Sequence, residues 1–146
     1  VFAELSVRDN LRAASLAFEG AEERVVEVLR RFPILGERAG QTASTLSGGE
    51  RQTLAIATAL VAGPDILILD EPTAGLAPIF VDRILSWVRD LVAEGMGVIW
   101  VVEQNPEKIL AVSRTAYVID AGRNAETMEA QELLQPGRLE EVLLHT

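Results

Sequence analysis

The chain has 146 residues, of which 49% are hydrophobic, and its 22 acidic and 13 basic side chains give a net charge of -9. This length and apolar content suit one compact domain with an ordinary core, and the acidic charge disfavours non-specific binding to nucleic acid or to an anionic membrane surface. Cysteine is absent and histidine occurs once, which excludes a disulfide framework, a thiolate metal site and a histidine metal cluster.

The first part of the chain is predicted to be helical. Apolar residues recur at helical spacing in Leu5–Ala17 and again in Ala21–Phe32, and Pro33 follows the second segment directly. A polar connector runs from Glu37 to Ser44. We therefore predict a helical region over residues 1–44.

The stretch TLSGGERQTLA, from Thr45 to Ala55, combines a helix start with two glycines. Ser47 and Glu50 have the spacing of a capping box, in which each side chain accepts a hydrogen bond from the backbone N–H of the other. This cap does not explain Gly48 and Gly49, because glycine inside a helix costs roughly 1 kcal/mol relative to alanine. Lacking a Cβ, the two glycines let an anion approach the free N–H groups and the positive end of the helix dipole. The stretch predicts a phosphate-binding helix start, and a plain flexible helix start is the alternative.

After this stretch, helices alternate with short apolar runs. Gly63 and Pro64 end the first helix, and Pro78–Ala93 carries one apolar stripe. The runs are apolar on both faces and predict buried parallel strands, which are too short to span a membrane. They are Ile66–Leu69, Val98–Val102 and Ala116–Ile119. The pattern predicts half of an α/β sheet.

Two carboxylates, Asp70 and Glu71, directly follow the first of these runs. Open α/β sheets bind their ligands at the carboxyl ends of their strands. Asp70 suits a hydrated Mg²⁺ ion, since magnesium prefers oxygen ligands, and Glu71 suits the role of a base that accepts a proton from an attacking water. A solvated turn after the strand is the alternative.

These motifs together resemble those of the ATP-binding cassette family. LSGGERQ is similar to the signature loop of the family, and ILILDE is similar to its second nucleotide motif. The resemblance covers essentially the whole chain. Within the family, the chain is most similar to the ATP-binding subunits of branched-chain amino acid importers and of their urea or amide importer relatives. The segments that carry this similarity are VFAELSVRDNL at 1–11, TAGLAPIFV at 73–81 and VVEQN at 101–105.

The resemblance implies an α/β fold of the P-loop NTPase type with a mainly parallel sheet. Residues 1–44 would form part of the helical subdomain, residues 45–63 the signature loop and its helix, and residues 64–146 the C-terminal part of the ATPase core. Such a chain belongs to an ATPase that uses ATP and Mg²⁺ to energise transport. Its expected partners are a second ATP-binding cassette and membrane permease subunits, with no nucleic acid. Its expected location is the cytoplasmic face of the inner membrane, as a peripheral subunit.

In this family two cassettes pair head to tail, and the signature loop of one closes over the γ-phosphate of ATP held by the other. The resemblance therefore implies that residues 47–50 contact the nucleotide of a partner. Asp70, as the Mg²⁺ ligand, and Glu71, as the base, would act on the ATP of their own subunit.

Two positions depart from the general pattern of the family. Ala77 stands where most cassettes have an aspartate, and Gln104 stands where most have a histidine that senses the γ-phosphate. A neutral amide can still donate a hydrogen bond to phosphate but cannot carry the charge of an imidazolium. Alternatively Gln104 only ends the strand, since Asn105 and Pro106 suit a helix cap and a first helical position.

The phosphate loop of the family, GxxxxGK[ST], does not occur in this sequence, whose only lysine, Lys108, has no glycine cluster beside it. We therefore expect the chain to be the C-terminal part of a longer subunit, unable by itself to bind MgATP tightly and inactive as an ATPase. We also expect it to self-associate through apolar sheet surface. A non-catalytic interaction module is the remaining alternative.

The end of the chain predicts two more helices. Asn124–Leu134 is polar and its pattern is more helical than that of the apolar edge strand usual in the family. The tail after it has apolar residues at helical spacing and predicts a short amphipathic helix. These residues are Leu139, Val142, Leu143 and Leu144.

Overall fold

A computed structural model describes residues 1–102 and 106–144 of the chain. The chain forms two compact units, Val1–Ile99 and Trp100–Thr146. Across the described ranges, no helix combines the length and the apolar character needed to cross a bilayer.

The first unit opens with helices that confirm the sequence prediction. Helix α1 (Val7–Ser15) starts at Ser6, whose Oγ accepts a hydrogen bond from the N–H of Asp9 at 3.1 Å. Helix α2 (Ala21–Arg31) has acidic residues in its first turn and arginines in its last, as the helix dipole favours. Helix α3 (Pro33–Glu37) begins with its proline at the first helical position, where no N–H is needed.

The polar connector is an ordered segment that lies against the start of α1. Ser6 and Thr42 form an antiparallel bridge, and the N–H of Val7 donates to the carbonyl of Gln41 at 2.9 Å. A short 3₁₀ turn, Ala43–Thr45, then leads to the next helix. The connector therefore fixes the chain immediately before the predicted phosphate-binding helix start.

Helix α4 (Gly48–Leu60) and helix α5 (Pro78–Ala93) complete the helical part of the first unit. The Phe32 ring, just beyond α2, packs edge to face on Trp87 of α5 with ring centroids 4.7 Å apart. The most deeply buried apolar side chains of this core come from five different helices and the residue after α2. They include Val7, Leu11, Val25, Phe32, Leu35, Leu54 and Ile84.

Strands β1 (Ile66–Asp70) and β2 (Gly97–Val101) are neighbours in one two-stranded sheet. The N–H of Gly97 donates to the carbonyl of Asp65 at 2.9 Å, so the two strands start side by side. Strands that begin at the same edge run parallel, and α5 is the crossover helix between them. This arrangement confirms the predicted parallel pair.

The prediction that these strands are buried on both faces is wrong for both of them, since alternate side chains of β1 and of β2 are exposed. Leu67 and Leu69 point into the core, whereas Ile66 and Ile68 are 59% and 67% exposed. Side chains alternate across a strand, and the described residues cover only one of the two faces. One face of β1 is therefore an apolar surface in contact with solvent.

The second unit contains a β-hairpin flanked by short helices. Strands β3 (Thr115–Asp120) and β4 (Arg123–Glu129) pair antiparallel in a sheet of their own. The prediction that Ala116–Ile119 is a buried parallel strand is therefore wrong, since its partner is the next strand of a hairpin and its outer side chains are exposed. The two turn residues between the strands, Ala121 and Gly122, both have positive φ. Positive φ at both positions is typical of the tight turns whose twist matches that of hairpin strands. The helices are α6 (Glu107–Leu110), α7 (Ala130–Leu133) and α8 (Arg138–Leu144).

The prediction of a helix over Asn124–Leu134 is wrong for residues 124–129, which form most of β4. Both faces of β4 are largely exposed, so polar side chains are tolerated there, and backbone pairing with β3 decides the conformation. Only α7 keeps the predicted helical state. The tail helix is confirmed as α8, and its Val142 packs in a small core with Leu110, Ala116, Ala130 and Leu133.

Candidate functional site

The start of α4 is held by the predicted capping box. The N–H of Glu50 donates to Ser47 Oγ at 3.4 Å, and the N–H of Ser47 donates to Glu50 Oε2 at 2.8 Å. Both hydrogen bonds are local, which explains why a spacing of three residues was enough to predict them.

Glu50 is also anchored by a residue that the sequence analysis did not identify. Arg38, on the connector, places Nε 2.8 Å from Glu50 Oε1, so the two carboxylate oxygens have different partners. The hydrogen bond from the Ser47 N–H, with Arg38 adding to it, holds the pKa of the buried Glu50 below its ordinary value, although burial acts in the opposite direction. Glu50 therefore works mainly as the anchor of the helix start. No spacing in the sequence links Arg38 to Glu50, because the contact depends on how the connector folds.

The two glycines of the helix start have different surroundings. A methyl group placed on Gly48 would meet nothing within 4 Å, whereas one placed on Gly49 would lie only 2.6 Å from Cδ2 of Phe80 and nearer still to other ring atoms. Gly49 is thus required by the packing of Phe80, a residue that the sequence analysis did not single out. Gly48 faces open space.

The backbone of the helix start offers hydrogen-bond donors. Within the described part of the chain, no acceptor pairs with the N–H groups of Gly48 and Gly49, which belong to the first turn of α4. Such N–H groups have no partner inside the helix and, with the helix dipole, favour an anion. The geometry fits the predicted phosphate contact.

The acidic pair lies at the carboxyl end of β1, as predicted. Asp70 is the exposed last residue of the strand, and Glu71 follows it in a left-handed conformation with a φ of 45°. A residue with a Cβ adopts this conformation at a cost of roughly 1–2 kcal/mol. Strain of this kind persists where the surroundings impose it and is common at functional sites. The N–H of Ala74 donates to the Glu71 carbonyl at 3.2 Å, and Pro72 beside it is fully buried, so the chain on that side of Glu71 is fixed.

The fit of the acidic pair to Mg²⁺ rests on one side chain, that of Asp70. Among residues 1–102 and 106–144, no group of three or more histidine, cysteine or acidic side chains is arranged around a possible metal position. Mg²⁺ usually takes one or two carboxylates and completes its shell with waters and phosphate oxygens, so the exposed Asp70 fits as a single protein ligand. Gln104, the predicted phosphate sensor, lies outside the described residues.

A cleft between α2 and α5 is separate from both groups of site residues. Charged side chains line much of it, and Arg31 pairs with Glu94 there. None of its lining residues belongs to 47–50 or 70–71.

Comparison with known sequences gives one family and several named relatives. The model of the ABC transporter family matches residues 1–74, about half of the chain. The branched-chain amino acid transport ATP-binding protein LivF of Archaeoglobus fulgidus is 40% identical over 146 residues, which cover 99% of this chain and 62% of that protein. The high-affinity branched-chain amino acid transport ATP-binding protein BraG of Pseudomonas aeruginosa is 42% identical over 125 residues, 84% of this chain and 53% of that protein.

The relatives are not confined to amino acid transport. The lipopolysaccharide export system ATP-binding protein LptB of Escherichia coli K12 is 37% identical over 151 residues, 99% of this chain and 61% of that protein. The chain thus spans between about half and three fifths of the length of these relatives.

Solved structures share the fold. MJ1267, an ATP-binding cassette of an ABC transporter, superposes with a TM-score of 0.84 at 22% identity, over 97% of this chain and 63% of that one. The structure of cbiO1 from Clostridium perfringens, part of the ABC transporter complex cbiONQ, gives a TM-score of 0.81 at 25% identity, over 97% of this chain and 58% of that one. These structures confirm the predicted class, an α/β fold that corresponds to part of an ABC ATPase.

Proposed function

This chain belongs to the ABC transporter family, and on that premise we propose that the whole protein is the ATP-hydrolysing subunit of an importer for branched-chain amino acids. The observation that carries the proposal is the helix start at 47–50, where the N–H groups of Gly48 and Gly49 have no acceptor among the described residues and Gly48 has open space beside it. It lies in the same compact unit as the acidic pair. The names of the LivF and BraG relatives support the choice of solute.

The two groups of residues have different tasks in this proposal. Ser47 and Gly48 face the γ-phosphate of ATP bound by a second cassette, and Glu50 holds them in place. Asp70 supplies an oxygen to Mg²⁺, and Glu71 accepts the proton of the attacking water, in the subunit to which both belong. ATP supplies the phosphoryl group, and catalysis consists mostly of positioning and charge stabilisation around it. Gln104 is proposed to donate a hydrogen bond to the phosphate.

The proposed partners follow from the same division of tasks. A helix start that serves the nucleotide of another subunit requires a head-to-tail pair of cassettes. Membrane permease subunits would carry the solute, so we propose a peripheral subunit on the cytoplasmic face of the inner membrane. The net charge of -9 favours these partners over nucleic acid.

Lipopolysaccharide export is the second candidate function, because the LptB relative is nearly as similar to the chain as the two amino acid transport proteins. The two candidates share the ATPase chemistry and differ only in what the membrane subunits carry. Residues 47–50 and 70–71 therefore do not separate them.

Uptake of labelled leucine by cells that carry or lack the gene tests the proposed function. We expect uptake to fall when the gene is deleted and to return with the unsubstituted gene but not with a Glu71→Gln gene. Unchanged uptake of leucine, isoleucine and valine, together with a loss of lipopolysaccharide export, would support the second candidate instead.

A further inference from the structure

Phe80 connects the two groups of site residues within the first unit. It lies in the first turn of α5, and its ring is placed against Gly49 at the start of α4 so closely that a Cβ on Gly49 would overlap it. The neighbouring Gly48 has no such contact. The position of the helix start therefore depends on a ring from another helix.

The same ring is linked to the acidic pair through a short ordered segment. Between Glu71 and α5, the N–H of Ala74 donates to the Glu71 carbonyl and the N–H of Leu76 to the Thr73 carbonyl, both at 3.2 Å. The N–H of Phe80 then donates to the carbonyl of Ala77 at 2.9 Å. Three local hydrogen bonds, which span residues 71–74, 73–76 and 77–80, therefore restrain this segment.

Contacts on both sides restrict how the ring and the helix start can move. The guanidinium of Arg83 lies 5.7 Å from the centroid of the Phe80 ring, within the range of a cation–π interaction. On the other side, the hydroxyl of the fully buried Thr53 donates to the carbonyl of Gly49 at 2.7 Å. The contact between Phe80 and Gly49 thus joins two restrained groups.

We propose that Phe80 is a positioning residue that sets the signature helix start relative to the acidic pair of the same subunit. This inference rests on the proposed function, in which residues 47–50 serve the ATP of a partner and residues 70–71 serve the ATP of their own subunit. Through the ring of Phe80, a displacement at one of these places is transmitted to the other.

The first test is a melting cycle on this 146-residue chain. Alanine is a better helix former than glycine, so Gly48→Ala should leave the melting temperature unchanged or raise it. Gly49→Ala should lower it by roughly 5–10 °C, because the new methyl group collides with Phe80. In a chain that carries Phe80→Ala the collision is gone, and the Gly49→Ala substitution should no longer lower the melting temperature. Phe80→Leu, which retains more apolar volume, provides a second background should Phe80→Ala fold poorly.

The second test separates positioning from packing in the whole protein. Phe80→Ala should lower the kcat of ATP hydrolysis by about 10-fold or more while the nucleotide affinity of an isolated subunit is unchanged, because the helix start acts on the nucleotide of the partner. Phe80→Tyr keeps the ring, so its kcat should equal that of the unsubstituted protein. Ile79→Ala, one residue earlier on the same turn and exposed, is the matched control and should leave kcat unchanged.

The two tests separate the contact between Phe80 and Gly49, the positioning role of Phe80 and the proposed function. A Gly49→Ala penalty that is equal in both backgrounds would overturn the contact, and a wild-type kcat for Phe80→Ala would overturn the positioning role. Absence of ATP hydrolysis in the unsubstituted whole protein would instead refute the proposed function, on which the positioning role depends, and the melting cycle would still report on the contact.

Discussion

At the scale of single residues, Glu71 and Asp70 are adjacent carboxylates with different proposed tasks. Glu71→Gln keeps the size and hydrogen bonding of the side chain and removes the base, so ATP hydrolysis by the whole protein should fall by about 10²-fold or more while ATP still binds. Asp70→Asn should instead weaken the nucleotide binding that depends on Mg²⁺, because it removes the charge that faces the metal. Steady-state hydrolysis and nucleotide titration with and without Mg²⁺ measure the two effects. Equal loss of binding in both variants would contradict the assignment.

Glu50 gives a prediction about pH. Its pKa is lower in the folded chain than in the unfolded chain, because the charged carboxylate accepts from the Ser47 N–H and pairs with Arg38. The resulting stabilisation is present above the unfolded pKa, about 4.3, and is lost as the pH falls through the folded pKa. The melting temperature should therefore decline less steeply in acid for Glu50→Gln than for the unsubstituted chain. Identical acid profiles in thermal denaturation would refute this.

These residues also show what a sequence can and cannot specify at this scale. The cap between Ser47 and Glu50 spans three positions, and the backbone geometry of any helix start brings such residues together, so spacing alone predicted it. The contacts of Arg38 with Glu50 and of Phe80 with Gly49 join different elements. No periodicity encodes such contacts, because they depend on how the elements pack.

At the scale of secondary-structure elements, the two faces of β1 are not equivalent. Leu67 is buried and its neighbour Ile68 is exposed on the opposite face. Leu67→Thr should lower the free energy of unfolding by about 3 kcal/mol, since it leaves a cavity and buries a hydroxyl. Ile68→Thr keeps a β-branched residue in the strand and should change that free energy by less than about 0.5 kcal/mol. Denaturant titration of both variants of the 146-residue chain measures the difference. Similar losses of unfolding free energy in the two variants would mean that both faces are buried.

The elements also differ in how far their patterns specify them. The sequence predicted strands β1 and β2 from short apolar runs, and helices α1, α2, α4 and α5 from apolar residues at helical spacing. An apolar run shows that a strand can be buried on both faces, but only its neighbours decide whether it is, as Ile66 and Ile68 demonstrate. For β4 the polar pattern indicated a helix, and pairing with β3 across a two-residue turn outweighed that preference.

At the scale of the whole molecule, the 146-residue chain should not bind MgATP tightly by itself. It has no lysine-containing phosphate loop, and Asp70 and Glu71 would repel a triphosphate that has no other charged donors around it. Isothermal titration calorimetry should detect no site of micromolar strength or better. A tight site would mean that other residues of this chain hold the triphosphate.

The central claim is that residues 47–50 serve the ATP of a partner subunit whereas residues 70–71 serve the ATP of their own. A mixing experiment with two variants of the whole protein tests it most directly. One variant carries Gly48→Asp, which places a negative charge at the open helix start, and the other has a disabled phosphate loop. A mixed dimer then contains one composite site with both lesions and one with neither.

ATP hydrolysis of each variant alone and of their mixture, with mixed dimers verified and the trapped nucleotide counted, is the decisive measurement. We predict that each variant alone is nearly inactive, that the mixture regains turnover, and that mixed dimers trap nucleotide at one of their two sites. Mixed dimers that neither hydrolyse ATP nor trap it would contradict the assignment of the helix start to the nucleotide of the partner.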